Sequence, residues 1–131
     1  MIVVDTSVWI DHFSGVRTPQ VARLHAVLGQ EPIAVGDLIL ARVLQGFSTE
    51  ADVSAALRYL ERFDFVEMAG PKIAIESAAN FRSLRRRGVT IRRTMDMLIG
   101  TYCLVHDHDL LHDDRDFDLL AEHLGLRTLR P

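Results

Sequence analysis

A single cysteine, Cys103, stands among the 131 residues, so neither an intrachain disulfide nor a multi-cysteine zinc site is available. Its neighbours Leu98, Ile99, Leu104 and Val105 are apolar, which predicts an inert core thiol and excludes redox chemistry. Lysine is almost missing too: Lys72 is alone beside 14 arginines. With a net charge of −3, no chain-wide positive field draws the molecule onto nucleic acid, and any such contact has to rest on local patches. Eight glycines and four prolines are too few for a low-complexity or collagen-like chain, and the apolar runs are too short to span a membrane. The basic start and apolar block of a secretory signal are absent, because Asp5 follows only Ile2, Val3 and Val4. These absences predict a cytoplasmic protein without membrane contact. A hydrophobic content of 48% is enough for one compact domain over residues 1–131.

Short β-branched runs alternate with longer amphipathic segments. Ile2 to Val4 reads as a buried strand leading through Asp5 into a helix that Thr6 or Ser7 caps. Thr18 caps a second helix carrying Val21, Leu24, Val27 and Leu28 at helical spacing before Gly29. Ile33 to Val35 is the next strand, followed by a mostly buried helix from Asp37 and another from Ala51 to Phe63. Val66 to Met68 reads as a strand, and Pro71 opens a helix that stops at Gly88. Thr94 caps a helix through about Val105, Leu110 and Leu111 form a strand, a brief helix starts near Asp116, and Leu126 to Leu129 add an edge strand. This alternation predicts an α/β layered domain around a mainly parallel sheet.

Open parallel sheets bind ligands beyond the carboxyl ends of their strands, and Asp5 stands at such an end. Asp96 lies between Met95 and Met97 with Leu98 and Ile99 following, where an ionised carboxylate is costly without a cation or donors. The segment LLHDDRDFDLL packs Asp113, Asp114, Asp116 and Asp118 behind an apolar pair, and their mutual repulsion has to be offset. A hard divalent cation does this through carboxylate oxygens. The competing readings are a helix-cap role for Asp5, a dipole partner for Asp96 in the first turn of its helix, and a solvated acidic loop.

The segments IVVDTSVWIDHF, GDLILARVLQGF, TMDMLIGTYC and LLHDDRDF, in that order, resemble the PIN-domain ribonuclease toxins of the VapC family, from VapBC toxin-antitoxin systems. The resemblance covers nearly the whole chain. It implies a three-layer α/β/α fold with a short-stranded, mainly parallel central sheet, and Mg²⁺- or Mn²⁺-dependent endonucleolytic cleavage of RNA. Catalytic residues would be Asp5, Asp96, Asp114 and Asp116, with Asp5, Asp96 and Asp114 as metal ligands and Thr6 and Ser7 supporting the first acid. A homodimer, a VapB-type antitoxin and a bacterial or archaeal host follow from the same resemblance. One position departs from the family pattern, which usually has Glu where Arg42 stands. An arginine projecting among four carboxylates acts as an internal counterion and should lower metal affinity.

Other features are less specific. His106, His108 and His112 suggest zinc, but a helix end and a turn beside a strand favour surface roles. Arg82, Arg85, Arg86, Arg87, Arg92 and Arg93 form the only basic cluster; of these Arg86, Arg87, Arg92 and Arg93 are the candidates for RNA phosphates, while arginines before Gly88 also complement a helix carboxyl end. Trp9, Phe13 and Phe47 read as core or partner-groove residues rather than base-stacking platforms. The main rival function is a non-catalytic binding module whose acids dock a partner segment. A haloacid-dehalogenase-like phosphatase wants a second Asp where Ser7 stands, and a receiver domain wants a late lysine that is missing here.

Overall fold

A computed structural model describes residues 1–129. Their elements run β1 (Ile2–Val4), α1 (Thr6–Phe13), α2 (Pro19–Val27), β2 (Ile33–Gly36), α3 (Asp37–Gln45), α4 (Glu50–Leu60), β3 (Asp64–Val66), α5 (Pro71–Arg86), α6 (Thr94–His106), β4 (Asp109–Leu111), α7 (Arg115–Leu124) and β5 (Thr128–Leu129). The strands form one sheet in the order β3-β2-β1-β4-β5, parallel at every pairing. β1 is its middle strand, which is why Ile2, Val3 and Val4 are all buried and read as a continuous apolar run.

The strand order places the helices. From β1 the chain steps through β2 to β3 on one side, then returns to lay β4 against the other edge of β1. Right-handed crossovers in opposite directions put their helices on opposite faces. Accordingly α1 packs on α2 and α3, and α3 on α4, while α6 packs on α5 and α7. The result is the expected α/β/α layering around one buried cluster that includes Trp9, Leu24, Ile39, Leu60, Met97, Leu110 and Phe117. No helix among the described residues is long and apolar enough to cross a membrane.

Several boundaries differ from the sequence reading. The residue capping α1 is Asp5, not Thr6 or Ser7. Helix α4 starts at Glu50, one residue early, because the Thr49 hydroxyl accepts the Asp52 N–H at 3.1 Å, and it ends at Leu60. Strand β3 falls at Asp64–Val66, in register with Ala34 to Gly36, while Met68 is drawn away when its N–H donates to Asp37 Oδ1 at 2.9 Å. Thr94 is the first residue of α6 and Arg93 its cap, without a side-chain capping bond. The last helix is ten residues long rather than brief, and β5 keeps only Thr128 and Leu129 of the predicted edge strand. Thr18 does cap α2, its hydroxyl accepting the Val21 N–H at 3.0 Å.

Candidate active site

Between β1 and β4 the chain reverses its direction of travel across the sheet, which opens a crevice at the carboxyl ends of these two strands. Asp5 sits directly after β1, its N–H donating to Leu111 O at 2.9 Å, so the ends of β1 and β4 are tied together. After β4 the chain turns on a short polar relay. His112 Nδ1 accepts the Asp114 N–H at 3.1 Å, and Asp114 Oδ1 accepts the Asp116 N–H at 2.9 Å, capping α7. The third contributor is α6, buried on most of its faces by Met97, Ile99, Tyr102 and Cys103 as well as Asp96. That burial leaves Asp96 only 1% exposed.

One oxygen from each of Asp96, Asp114 and Asp116 lies within 4.8 Å of the others. Asp5 stands outside this mutual set yet close enough to feel it. Its carboxyl is pushed up to about 6, chiefly by burial and further by the Asp96 and Asp114 charges; the Thr6 backbone amide and the Arg42 guanidinium oppose the shift. Burial likewise raises Asp96, against its hydrogen bond and charge pairing with Arg42. Asp5 Oδ1, Asp96 Oδ2 and Asp116 Oδ2 are buried and make no hydrogen bond among the described residues. Buried carboxylate oxygens left this way are costly unless a cation or water meets them.

This donor set suits a hard dication. In an octahedral oxygen shell at about 2.1 Å, neighbouring ligands stand about 3.0 Å apart and opposite ones about 4.2 Å, so three oxygens spread over as much as 4.8 Å have to draw together on the ion. One feature opposes it: Arg42 Nη1 donates to Asp96 Oδ1 at 3.2 Å. Two further arginines face the cluster, Arg93 Nη1 at 3.7 Å from Asp114 Oδ2 and Arg92 Nε at 3.8 Å from Asp116 Oδ2.

The profile of the PIN domain family matches residues 2–123. The chain belongs to the PIN-domain family. Among curated relatives it is 26% identical over 130 residues to the ribonuclease VapC11 of Mycobacterium tuberculosis, covering 98% of this chain and 97% of that protein. A VapC ribonuclease of Mycobacterium bovis matches to the same extent. Among solved structures, VapBC2 from Rickettsia felis bound to a promoter DNA fragment shares its fold at a TM-score of 0.75, with 16% identity and 98% of each chain covered. The sarcin-ricin loop cleaving toxin VapC20 of M. tuberculosis does so at 0.69, with 14% identity and both chains fully covered.

Within this PIN fold the acids read from sequence are not equivalent. Asp96, Asp114 and Asp116 converge, and Asp5 flanks them. The Thr6 and Ser7 hydroxyls make no hydrogen bond among the described residues, so what Asp5 receives locally is the Thr6 backbone amide. Arg42, in the last turn of α3, does face the acids, as the resemblance implied. Arg87 is engaged elsewhere, donating to His123 O at 3.0 Å and Ser83 Oγ at 3.3 Å, whereas Arg92 and Arg93 reach the cluster. The surface role read for His112 is corrected: it is 7% exposed and orders the Asp114 loop. Its position, directly between a strand end and two acids, was the available signal. Trp9 is fully buried and stacks on Phe13, which meets Phe47 edge-on, so these rings belong to the packing of α1, α3 and α4.

Proposed function

We propose that this chain is the toxin of a VapBC-type system, an endoribonuclease that hydrolyses RNA phosphodiester bonds with Mg²⁺ or Mn²⁺ held by Asp96, Asp114 and Asp116, with Asp5 at the edge of the same site. The observation that carries this reading is the convergence of three carboxylates at the crevice between β1 and β4, with Asp96 Oδ2 and Asp116 Oδ2 buried and accepting no hydrogen bond among the described residues. A bound dication there supplies water activation and charge stabilisation on the phosphate. The chain's own groups do the positioning. His112 holds the Asp114 backbone, Asp114 Oδ1 holds the start of α7, and the apolar walls of α6 keep Asp96 from bulk water. The similarity to VapC ribonucleases along nearly the whole chain supports RNA as substrate, a VapB-type antitoxin as partner, a homodimer, and a bacterial or archaeal cytoplasm as the setting.

Arg42 tempers the activity of this sequence. Its guanidinium occupies one Asp96 oxygen that a metal would otherwise use, and a dication entering the site meets a like charge a few ångströms away. At an effective dielectric of about 20, like unit charges about 4 Å apart repel by roughly 4 kcal/mol, and even a screened third of that is about tenfold in affinity. The rival reading, a non-catalytic module docking a partner through its acids, has only the Arg42–Asp96 pair in its favour. It leaves the buried Asp5 Oδ1, which accepts no hydrogen bond among the described residues, without a role.

Calorimetric Mn²⁺ titration and cleavage of a structured RNA, run in parallel on this chain and on Arg42→Glu with chelator controls, test both statements. Metal affinity should rise by at least about tenfold in the variant, and chelator-sensitive cleavage should rise with it. Equal affinity and equal cleavage would place Arg42 outside the site. Absence of both binding and cleavage in either protein would remove the nuclease reading.

A further inference from the structure

Each of the three converging carboxylates faces its own arginine: Asp96 faces Arg42, Asp114 faces Arg93, and Asp116 faces Arg92. The three contacts differ in kind. Arg42 is 22% exposed and forms a hydrogen bond from the middle of the fold. Arg92 and Arg93 are 71% and 55% exposed and stand 3.8 and 3.7 Å from their acids, beyond hydrogen-bond length. They are held by charge alone, on long side chains, at the entrance to α6. Arg87, on the preceding turn, is fixed by two hydrogen bonds and is no part of this arrangement.

A guanidinium and a hard dication compete for the same carboxylate charge. At Asp114, Oδ1 is committed to capping α7, which leaves Oδ2 to arginine and ion alike, and at Asp116 the arginine faces the buried Oδ2, which accepts no hydrogen bond among the described residues. Once a dication takes these oxygens, the exposed arginines lose their partners at the mouth of the site. There a bidentate anionic acceptor such as a phosphodiester, with its two non-bridging oxygens, suits the planar guanidinium best. Resting on the nuclease reading above, we propose that Arg92 and Arg93 are exchangeable positioning residues: they pair with Asp116 and Asp114 in the metal-free protein and transfer to RNA phosphates flanking the scissile bond when a divalent ion occupies the acids. Metal and RNA binding are then linked, each strengthening the other by the same factor. RNA is held poorly without metal because the arginines are engaged, and metal is held poorly without RNA because they compete.

The test compares Arg92→Gln/Arg93→Gln with its parent, in the Arg42 sequence and in the Arg42→Glu background, where metal binding should be stronger. Both side chains are exposed, so folding should be unaffected, and thermal melts check this. Mn²⁺ affinity is read by calorimetry. Affinity for a labelled single-stranded RNA is read by anisotropy in the cold, at constant ionic strength, with Mn²⁺ or chelator present and RNA integrity checked on gels. The parent should bind RNA about fivefold or more tightly with Mn²⁺ than with chelator. The double variant should lose that gain while binding Mn²⁺ alone more tightly than the parent. Unchanged Mn²⁺ affinity in the variant, or an RNA loss equal with and without metal, would overturn the exchange while leaving the nuclease reading intact. Failure of every version to bind Mn²⁺ would overturn the nuclease reading and the exchange together.

Discussion

Replacing Asp5 by Asn should stabilise the metal-free protein, and the gain should appear only above acid pH. In the folded chain this carboxyl titrates at about 6 instead of 3.8, mainly because it is buried. The folded state therefore binds the proton more tightly than the unfolded chain, so stability is lost as pH rises from about 4 through 6 and stays lost above. A displacement of about 2 units at 1.36 kcal/mol each amounts to about 3 kcal/mol of burden on the ionised native state near pH 7.5. Asn keeps the shape without the charge. It sacrifices no capping bond, since Asp5 makes none to α1, and only the attraction of the Thr6 amide and Arg42 is lost. Urea melts in chelator at pH 4, 5, 6 and 7.5 should show the two proteins offset by a constant at the acid end, with Asn gaining about 1 to 3 kcal/mol by pH 7.5. A pH-independent difference, or a variant less stable at pH 7.5 than at pH 4 relative to its parent, would refute the argument and make Asp5 a structural cap.

Two further outcomes test the packing around the site. A Cβ at Gly100 would lie 2.4 Å from Leu120 Cδ1, so Gly100→Ala should lower stability in urea melts by about 1 to 3 kcal/mol despite the better helix propensity of alanine; a stabilised variant would mean that α6 and α7 are less closely packed. Cys103 is buried, and its thiol is pushed up to about 12 by burial first and by nearby Asp5 and Asp109 next. Thiol labelling at pH 8 should therefore proceed only at the rate of unfolding, and rapid stoichiometric labelling of the native protein would contradict that placement.

Much of the secondary structure could be read along the chain because its signals are local. Thr18 sits three residues from the amide it caps, Pro71 opens α5 at a position where its missing N–H costs nothing, and Gly88, with φ of +79°, follows the end of that helix. Where the reading slipped, a distant contact had intervened. β3 ends at Val66 because its register with β2 and the Asp37–Met68 hydrogen bond decide where extended pairing stops. α6 begins at Thr94 itself, one residue before the start that a Thr94 cap would give, because no side chain caps it.

For the site the division is sharper. The sequence alone determined that Asp5 terminates a buried strand, that Asp96 is an acid in an apolar helix, and that an acidic run follows another strand, since each statement concerns only a residue and its neighbours. That Arg42 departs from the family pattern is what the resemblance implied, and it does not follow from the residues around it. Tertiary structure alone decided that Asp96, Asp114 and Asp116 form the tight set with Asp5 beside it, that Arg42 pairs with Asp96 across 54 positions of sequence, and that His112 is buried behind Asp114. The reason is physical. Caps and apolar periodicity act over one or two turns of chain, whereas the meeting of residues tens of positions apart depends on β4 returning to pair with β1, and neither strand's three residues specify that partner.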